Sequence, residues 1–192
     1  MMDLFDSSGS TSSSQDLVQR PLADILRPRT LSHVIGQCQI LGSSGSLSTM
    51  LDSGILGSIV FWGPPGVGKT TIARLLAQET DLCFVQISAI FSGIPELRRV
   101  FESAIIRRDN GQGTLVFVDE IHRFNKAQQD SFLPLMEDGT IVLIGATTEN
   151  PSFELNAAVL SRSQVMVLER LNINDLELLA QRAEAETIQS LP

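Results

Sequence analysis

The chain has 192 residues, of which 43% are hydrophobic, and these values suit one globular domain with a buried core. Its net charge of −8 argues against a surface that binds nucleic acid non-specifically, although a local basic patch is compatible with it. Two cysteines, Cys38 and Cys83, are too few for a disulfide framework, and Cys83 fits a small buried residue of a strand. The sequence shows neither a signal-peptide pattern nor an apolar run of membrane-spanning length, which predicts a cytoplasmic protein without a membrane partner.

The first 20 residues differ in composition from the rest of the chain. The run Ser7–Ser14 is almost entirely serine, and such a segment buries too little apolar surface to offset the entropy of ordering it. We therefore expect a flexible tail over residues 1–20. At its tip, Met2–Phe5 combines acidic and apolar side chains, which fits either a frayed end or a peptide that a partner docks.

A glycine-rich loop, Gly63–Thr70, fits the pattern G-x-x-x-x-G-K-[ST] without a mismatch. It follows the strand-type segment Ser58–Trp62 and precedes apolar residues at helical spacing. This arrangement suits phosphate binding, because the N–H groups of the loop converge on the β-phosphate and the helix start adds a positive dipole end. We expect Lys69 to reach the β- and γ-phosphates and the Thr70 hydroxyl to ligate Mg²⁺. The predicted nucleotide-binding residues here are Gly63, Pro64, Pro65, Gly66, Val67, Gly68, Lys69, Thr70 and Thr71.

Strand and helix patterns alternate through the middle of the chain. Because the strand segments are apolar on both faces and separated by helical patterns, we predict a three-layer α/β fold with a five-stranded parallel sheet. Pro95 is expected in the first turn of one helix. Asn125 and Gln128 fit a capping box for a later helix that runs to Met136, with its end kinked by Pro134. The predicted strands are Ser58–Trp62, Cys83–Ile87, Leu115–Val118, Ile141–Gly145 and Val165–Leu168.

Two carboxylates, Asp119 and Glu120, end the third predicted strand. The carboxyl ends of parallel strands meet at one edge of a sheet, so we expect Asp119 beside the glycine loop, holding Mg²⁺ directly or through water. Glu120 would orient and polarise the water that attacks the phosphate. Thr148 follows the fourth strand and would lie between the Asp119 strand and the loop strand. Its hydroxyl fits either a contact to the γ-phosphate or water, or a simple strand end.

Other polar residues leave alternatives open. Arg162 fits either a cation at a helix C-terminus or a finger that reaches the γ-phosphate bound by a neighbouring subunit. His33 and His122 are given no catalytic role, and His122 is too close to Glu120 in sequence to form a metal-binding pair with it. A basic group on and after the Pro95 helix fits either a DNA contact or a solvated face balanced by acidic neighbours. This group comprises Arg98, Arg99, Arg107 and Arg108.

The last segment, residues 172–192, predicts one more helix. Asn174 and Glu177 fit its capping box, and an apolar stripe follows on one face. Since one helix does not make a domain, we interpret this segment as the first helix of a truncated lid. The predicted organisation is therefore a tail over residues 1–20, a nucleotide-binding core over residues 21–171 and a partial lid over residues 172–192.

These motifs together resemble those of AAA+ ATPases of the clamp-loader group. Within that group the sequence is most similar to the replication-associated recombination protein A family, the counterpart of the Werner-helicase-interacting ATPases. The resemblance extends from Pro21 to about Ala185. The phosphate loop and the Asp-Glu pair are shared by many ATPases, whereas two runs, His122–Lys126 and Thr148–Asn156, are much narrower signals. The matching segments are Arg27–Leu31, Ile35–Gln37, Trp62–Gly66, Val118–Asp130 and Gly145–Asn156.

The resemblance implies Mg²⁺-dependent ATP hydrolysis coupled to DNA recombination and repair at replication forks. It makes Thr148 the first sensor of the γ-phosphate, makes Arg162 the finger that acts in trans, and sets Ile35 and Gly36 against the adenine. It also implies a homo-oligomer that binds DNA, with a sliding clamp or a single-strand-binding protein as a further partner. A nucleotide-binding module without turnover, a clamp-loader subunit and a branch-migration motor remain the alternatives.

Overall fold

The structure, a computed structural model, describes residues 25–189, with side-chain burial described to residue 185. The tail predicted over residues 1–20 and the Met2–Phe5 segment lie outside the described residues. Among the described residues, no helix has both the length and the apolar character that crossing a bilayer requires.

Five strands form one sheet, and each lies within two residues of its predicted bounds. They are β1 (Ile59–Trp62), β2 (Cys83–Ser88), β3 (Thr114–Asp119), β4 (Ile141–Thr147) and β5 (Gln164–Val167). All neighbouring pairs are parallel, in the order β2-β3-β4-β1-β5. This confirms the predicted α/β fold. It also means that β4 separates β1, which leads into the glycine loop, from β3, which ends in the acidic pair.

Helices cover both faces of the sheet and form two separate cores. Along β3, Leu115 and Phe117 belong to one core, and Val116 and Val118 belong to the other, as strand geometry requires. The helices are α1 (Cys38–Leu41), α2 (Ser46–Asp52), α3 (Lys69–Glu79), α4 (Ile94–Asp109), α5 (Lys126–Asp130), α6 (Leu133–Glu137), α7 (Pro151–Glu154), α8 (Ala157–Leu160) and α9 (Ile173–Gln189). Single 3₁₀ turns lie at Leu31–His33 and Ile121–Arg123. The first core packs under α2 and α3, and the second packs under α4, α6 and α8.

The prediction of one helix from Asn125 through Met136 is wrong, because two short helices, α5 and α6, form there instead. The capping box itself is confirmed. Gln128 N–H donates to Asn125 Oδ1, and Asn125 N–H donates to Gln128 Oε1, both at 3.0 Å. Pro134 stands in the first turn of α6, where a helix needs no N–H donor. It therefore begins a helix instead of kinking the end of one.

Two other local predictions are also wrong. The cap of α9 is a reciprocal pair of hydrogen bonds between Asn172 and Asp175, two residues before the predicted Asn174–Glu177 pair. Cys83 is half-buried, not buried, because β2 is an edge strand and has a neighbour on one side alone. The first error is a shift of two residues between local pairs of equal spacing, whereas the second comes from the position of β2 in the sheet, which local sequence patterns do not contain.

The turn before β4 depends on the Asp138 carboxylate. It accepts hydrogen bonds from Thr140 N–H at 2.9 Å and from the Arg108 guanidinium at 3.1 Å. The hydrogen bonds from Thr140 are the main cause that lowers the pKa of Asp138 below its usual 3.8, and Arg108 adds to the effect. Because the folded-state pKa is the lower one, the ionised carboxylate stabilises the fold above the unfolded-state pKa. This stabilisation is lost as the pH falls through the folded-state pKa.

We expect Asp138→Asn to reduce the free energy of unfolding at neutral pH, and the difference from wild type to shrink as the pH falls below 3.8. Urea unfolding at neutral and at acid pH measures both values. Asp52→Asn, at the exposed end of α2, is the matched control. A difference between Asp138→Asn and wild type that is the same at both pH values would contradict this account of the turn.

Candidate nucleotide-binding site

The glycine loop, residues 63–70, joins the end of β1 to the start of α3. Gly66 and Gly68 have φ angles of 80° and 98°, in the left-handed region where a side chain costs free energy. Gly63 is needed for a different reason, since a Cβ atom there would collide with the carbonyl group of Leu168 beyond β5. The backbone of the loop thus takes a path that its glycines permit and that leaves its N–H groups near the start of α3.

Lys69 is the first residue of α3, and it is 8% exposed. Its ammonium group donates hydrogen bonds to the Gly63 carbonyl at 2.7 Å and the Pro64 carbonyl at 2.9 Å. Burial lowers the pKa of Lys69, while the nearby carboxylates of Glu120 and Asp119 act in the opposite direction. A cation in this position is suited to bind an anion that replaces the two carbonyl partners.

Asp119 ends β3, and Glu120 follows it. Both line a polar cavity of about 340 Å³ together with Lys69, so the predicted meeting of the acidic pair and the lysine is what the structure contains. The other lining residues are Arg27, Pro65, Gly66, Gly68, Thr70 and Thr71. The oxygen donors of Thr70 and Asp119 are of the kind that Mg²⁺ prefers, so the residues present fit this ion.

Glu120 has a left-handed backbone, with φ of 52°, which is costly for a residue with a side chain. Its carboxylate oxygen Oε2 accepts a hydrogen bond from the Thr148 hydroxyl at 3.4 Å. Thr148 follows β4, and β4 lies between β3 and β1, as the sequence predicted. The Thr148 hydroxyl therefore lies close to the acidic pair and between the strand that carries it and the strand that leads into the loop.

An apolar cavity of about 550 Å³ adjoins the loop on its other side. Ile35 and Val67 line it, together with Gly66, Gly68 and Thr71, so it shares three residues of the loop region with the polar cavity. Gly36 instead faces the start of α9, since a Cβ atom there would lie 2.8 Å from the Leu171 side chain and 3.2 Å from the carboxylate of Asp175. Pro64 and Pro65 line a third, shallow cavity beside Leu171. A polar cavity joined to an apolar one suits a molecule with a phosphate end and a base end.

Arg162 does not line either of these cavities. It follows α8, donates a hydrogen bond to the Ala158 carbonyl at 3.0 Å and forms an ion pair with Glu137. Its side chain is 40% exposed. The contact to Ala158 fits the helix-terminal interpretation, and the exposure is compatible with a contact to another subunit.

Two residues that the sequence reasoning left without a role lie at the site. Arg27 lines both the polar and the apolar cavity. The Arg-Pro-Arg run in which it stands was a usable signal, because it matched the family pattern. His122 lies 3.3 Å from the Glu120 carboxylate. Nothing in its local sequence distinguishes that contact, which depends on how the 3₁₀ turn after β3 packs against β4.

Together, the glycine loop, the buried lysine and the acidic pair at the carboxyl edge of a parallel sheet define a phosphate-loop nucleotide-binding fold. The chain belongs to the AAA family, the ATPase family associated with various cellular activities, which residues 59–171 match. It is 49% identical to "Replication-associated recombination protein A" of Escherichia coli strain K12, over 88% of this chain and 38% of that protein. It is 44% identical to "ATPase WRNIP1" of Dictyostelium discoideum, over 84% of this chain and 18% of that protein. These similarities confirm the family indicated by the sequence motifs.

Solved structures with the same fold include RuvB of Thermotoga maritima, described as a Holliday junction branch migration motor. That match has a TM-score of 0.68 at 27% identity and covers 84% of this chain and 55% of the RuvB chain. A point variant of the same RuvB protein matches with a TM-score of 0.69, also at 27% identity. The chain thus spans 38% of the length of the E. coli relative and about half of RuvB.

Proposed function

We propose that this chain binds ATP with Mg²⁺ and hydrolyses it, and that in the complete protein the reaction drives work on DNA during replication-linked recombination. The observation that carries this proposal is the presence of the Lys69 ammonium and the Asp119 and Glu120 carboxylates around one polar cavity. Phosphoryl transfer requires little covalent chemistry from the protein, so catalysis depends on positioning and on charge stabilisation. These three groups and the loop N–H groups are suited to both tasks.

Each residue then has a defined task. The loop N–H groups and Lys69 bind the β- and γ-phosphates, and Lys69 exchanges its two carbonyl partners for phosphate oxygens. Thr70 and Asp119 hold Mg²⁺, which when bound neutralises charge on the phosphates. Glu120 polarises the attacking water and accepts its proton. Thr148 contacts the γ-phosphate or that water, and the apolar cavity that Ile35 lines takes the adenine.

The work on DNA is proposed from the relatives, whose names refer to replication-associated recombination and, for RuvB, to branch migration. Identity of 49% to the former against 27% to the latter favours recombination at forks over branch migration. We propose that the complete protein is a homo-oligomer located in the cytoplasm at the nucleoid, with a sliding clamp or single-strand-binding protein as a partner. Within the basic group on α4, Arg108 is paired with Asp109 and Asp138.

Arg162 is proposed to act on the nucleotide of a neighbouring subunit. We expect Arg162→Ala to lower ATP turnover by about 10³-fold in the assembled protein, because an arginine finger contributes about that much or more. The isolated subunit should be unaffected. Turnover measured across a range of protein concentrations, alongside the oligomeric state, separates the two conditions.

The matched control for this variant is Glu137→Gln, which removes the ion-pair partner and keeps the arginine. We expect it to retain turnover, because an exposed ion pair contributes little. An equal loss of turnover in the isolated and the assembled Arg162→Ala protein would exclude action in trans.

Single-turnover hydrolysis, with protein in excess over radiolabelled ATP, tests the proposed function. We expect release of phosphate that requires Mg²⁺. A chain that binds ATP and releases no phosphate would be a nucleotide-binding module without turnover, which is the second candidate.

A further inference from the structure

His122 lies in the 3₁₀ turn directly after β3, with its side chain 8% exposed. Its ring nitrogen Nδ1 is 2.8 Å from the Thr147 hydroxyl oxygen and 3.3 Å from Oε2 of Glu120. Thr147 is fully buried at the end of β4. The imidazole therefore bridges the Glu120 carboxylate and the strand that runs between β3 and the glycine-loop strand.

The hydrogen-bond partners of Thr147 decide where the proton of this bridge lies. The Thr147 hydroxyl is 3.2 Å from the Glu149 carbonyl, and Glu149 N–H donates back to it at 3.0 Å. A hydroxyl has one proton and two acceptor lone pairs. If that proton goes to the carbonyl, Nδ1 must carry its own proton, which then points at the Thr147 oxygen, with the Glu120 carboxylate 3.3 Å from the same nitrogen. An unprotonated Nδ1 would instead place its lone pair 3.3 Å from the negatively charged carboxylate oxygen of Glu120, which is unfavourable.

We propose that His122 is a positioning residue for Glu120, and that it holds the carboxylate through a proton on Nδ1. This inference rests on the proposed function, in which Glu120 activates water. His122 and Thr148 both contact Oε2, while among the described residues no hydrogen bond goes to Oε1. Oε2 is thus the anchored oxygen, and Oε1 is the one that accepts the proton of water. The anchor also ties Glu120 to Thr147, so a shift of the end of β4 moves the carboxylate.

Substitutions of His122 separate a donor at Nδ1 from a merely space-filling ring. An asparagine places its amide N–H near the position of Nδ1, whereas a glutamine reaches the position of Nε2. We expect His122→Gln and His122→Ala to lower the single-turnover rate about 10- to 100-fold, because a misplaced catalytic group costs that much. ATP affinity should change by less than about twofold, since His122 touches neither the loop nor Lys69. His122→Asn should retain most of the rate.

Equal rates for the asparagine and glutamine variants would overturn the proposal, as would a loss of ATP affinity that matches the loss of rate. Failure of the proposed function looks different. In that case wild type and Glu120→Gln would have the same single-turnover rate, and the His122 variants would have that rate too. If Glu120→Gln lowers the single-turnover rate and His122→Gln leaves it at the wild-type value, the role of His122 is overturned while the proposed function stands.

A spectroscopic measurement tests the contact without relying on turnover or on a variant of His122. The chain has two histidines, so a ¹⁵N-histidine spectrum of the wild type contains two rings, and His33→Gln assigns them. We expect the His122 ring to carry a proton on Nδ1, and the Nδ1 resonance to shift when Glu120 becomes glutamine. An unprotonated Nδ1 in His122 would overturn the proposal, and so would an Nδ1 chemical shift that is the same in wild type and in Glu120→Gln. Either result would hold even if the chain hydrolyses no ATP.

Discussion

Glu120→Gln will bind ATP about as well as the wild-type chain and will hydrolyse it about 10²- to 10⁴-fold more slowly, the range that a general base contributes. The amide keeps the shape of the side chain and the contact to Thr148, so the cavity should keep its form. It cannot accept a proton from water, so the chemical step is lost while binding remains. Nucleotide affinity and the single-turnover rate, measured on the same preparation, check both halves of the expectation.

The matched control for this variant is Glu149→Gln, which changes an exposed carboxylate just beyond β4 and outside the lining of the polar cavity. We expect it to hydrolyse ATP at the wild-type rate. Normal hydrolysis by Glu120→Gln would remove Glu120 from the role of base. A loss of affinity in Glu120→Gln would mean that the carboxylate acts in binding, not in the reaction.

Lys69→Ala will lose most of its affinity for ATP. A hydrogen bond to a charged group contributes about 1.5–3 kcal/mol, which corresponds to about 10- to 150-fold in affinity for one such bond. The ammonium of Lys69 is also close to the two carboxylates of the cavity and, with Arg27, supplies its positive charge. Without it, those carboxylates would repel the triphosphate, so the loss should lie at the upper end of that range.

The chain offers a close control for this experiment, because it contains one other lysine, Lys126, at the exposed start of α5. Lys126→Ala removes the same charge from the chain and should bind ATP like wild type. Thermal unfolding of both variants checks that each one is folded. Equal affinities for Lys69→Ala and Lys126→Ala would contradict the assigned role of Lys69.

The sequence was sufficient to predict the sheet and several of the residues that meet at its carboxyl edge, for physical reasons. Buried parallel strands are apolar on both faces, and their carboxyl ends share one edge, so Asp119, Thr148 and the glycine loop had to meet there. Gly66 and Gly68 stand where the backbone needs positive φ, and the pattern that contains them is specific to phosphate binding.

What the sequence did not predict depends on tertiary contacts. Pro134 is equally compatible with the end of one helix and the start of another. In the structure α5 ends before Pro134 and a separate helix, α6, begins there, and Pro134 therefore stands at a helix start. The burial of Cys83 depended on which strand lies at the edge of the sheet. The contact between His122 and Glu120 needs both the left-handed turn at Glu120 and the position of Thr147, and neither is a local pattern.

The central claim is that a nucleoside triphosphate binds at the carboxyl edge of the sheet, beside β1. The chain has one tryptophan and no tyrosine, and this tryptophan, Trp62, directly precedes Gly63 of the loop. Energy transfer from Trp62 to ATP labelled with a methylanthraniloyl group therefore reports binding at this place. We predict transfer that saturates with labelled ATP, is reversed by unlabelled ATP and is absent in Lys69→Ala. Binding of the labelled nucleotide without transfer from Trp62, or transfer that is unchanged in Lys69→Ala, would contradict the account.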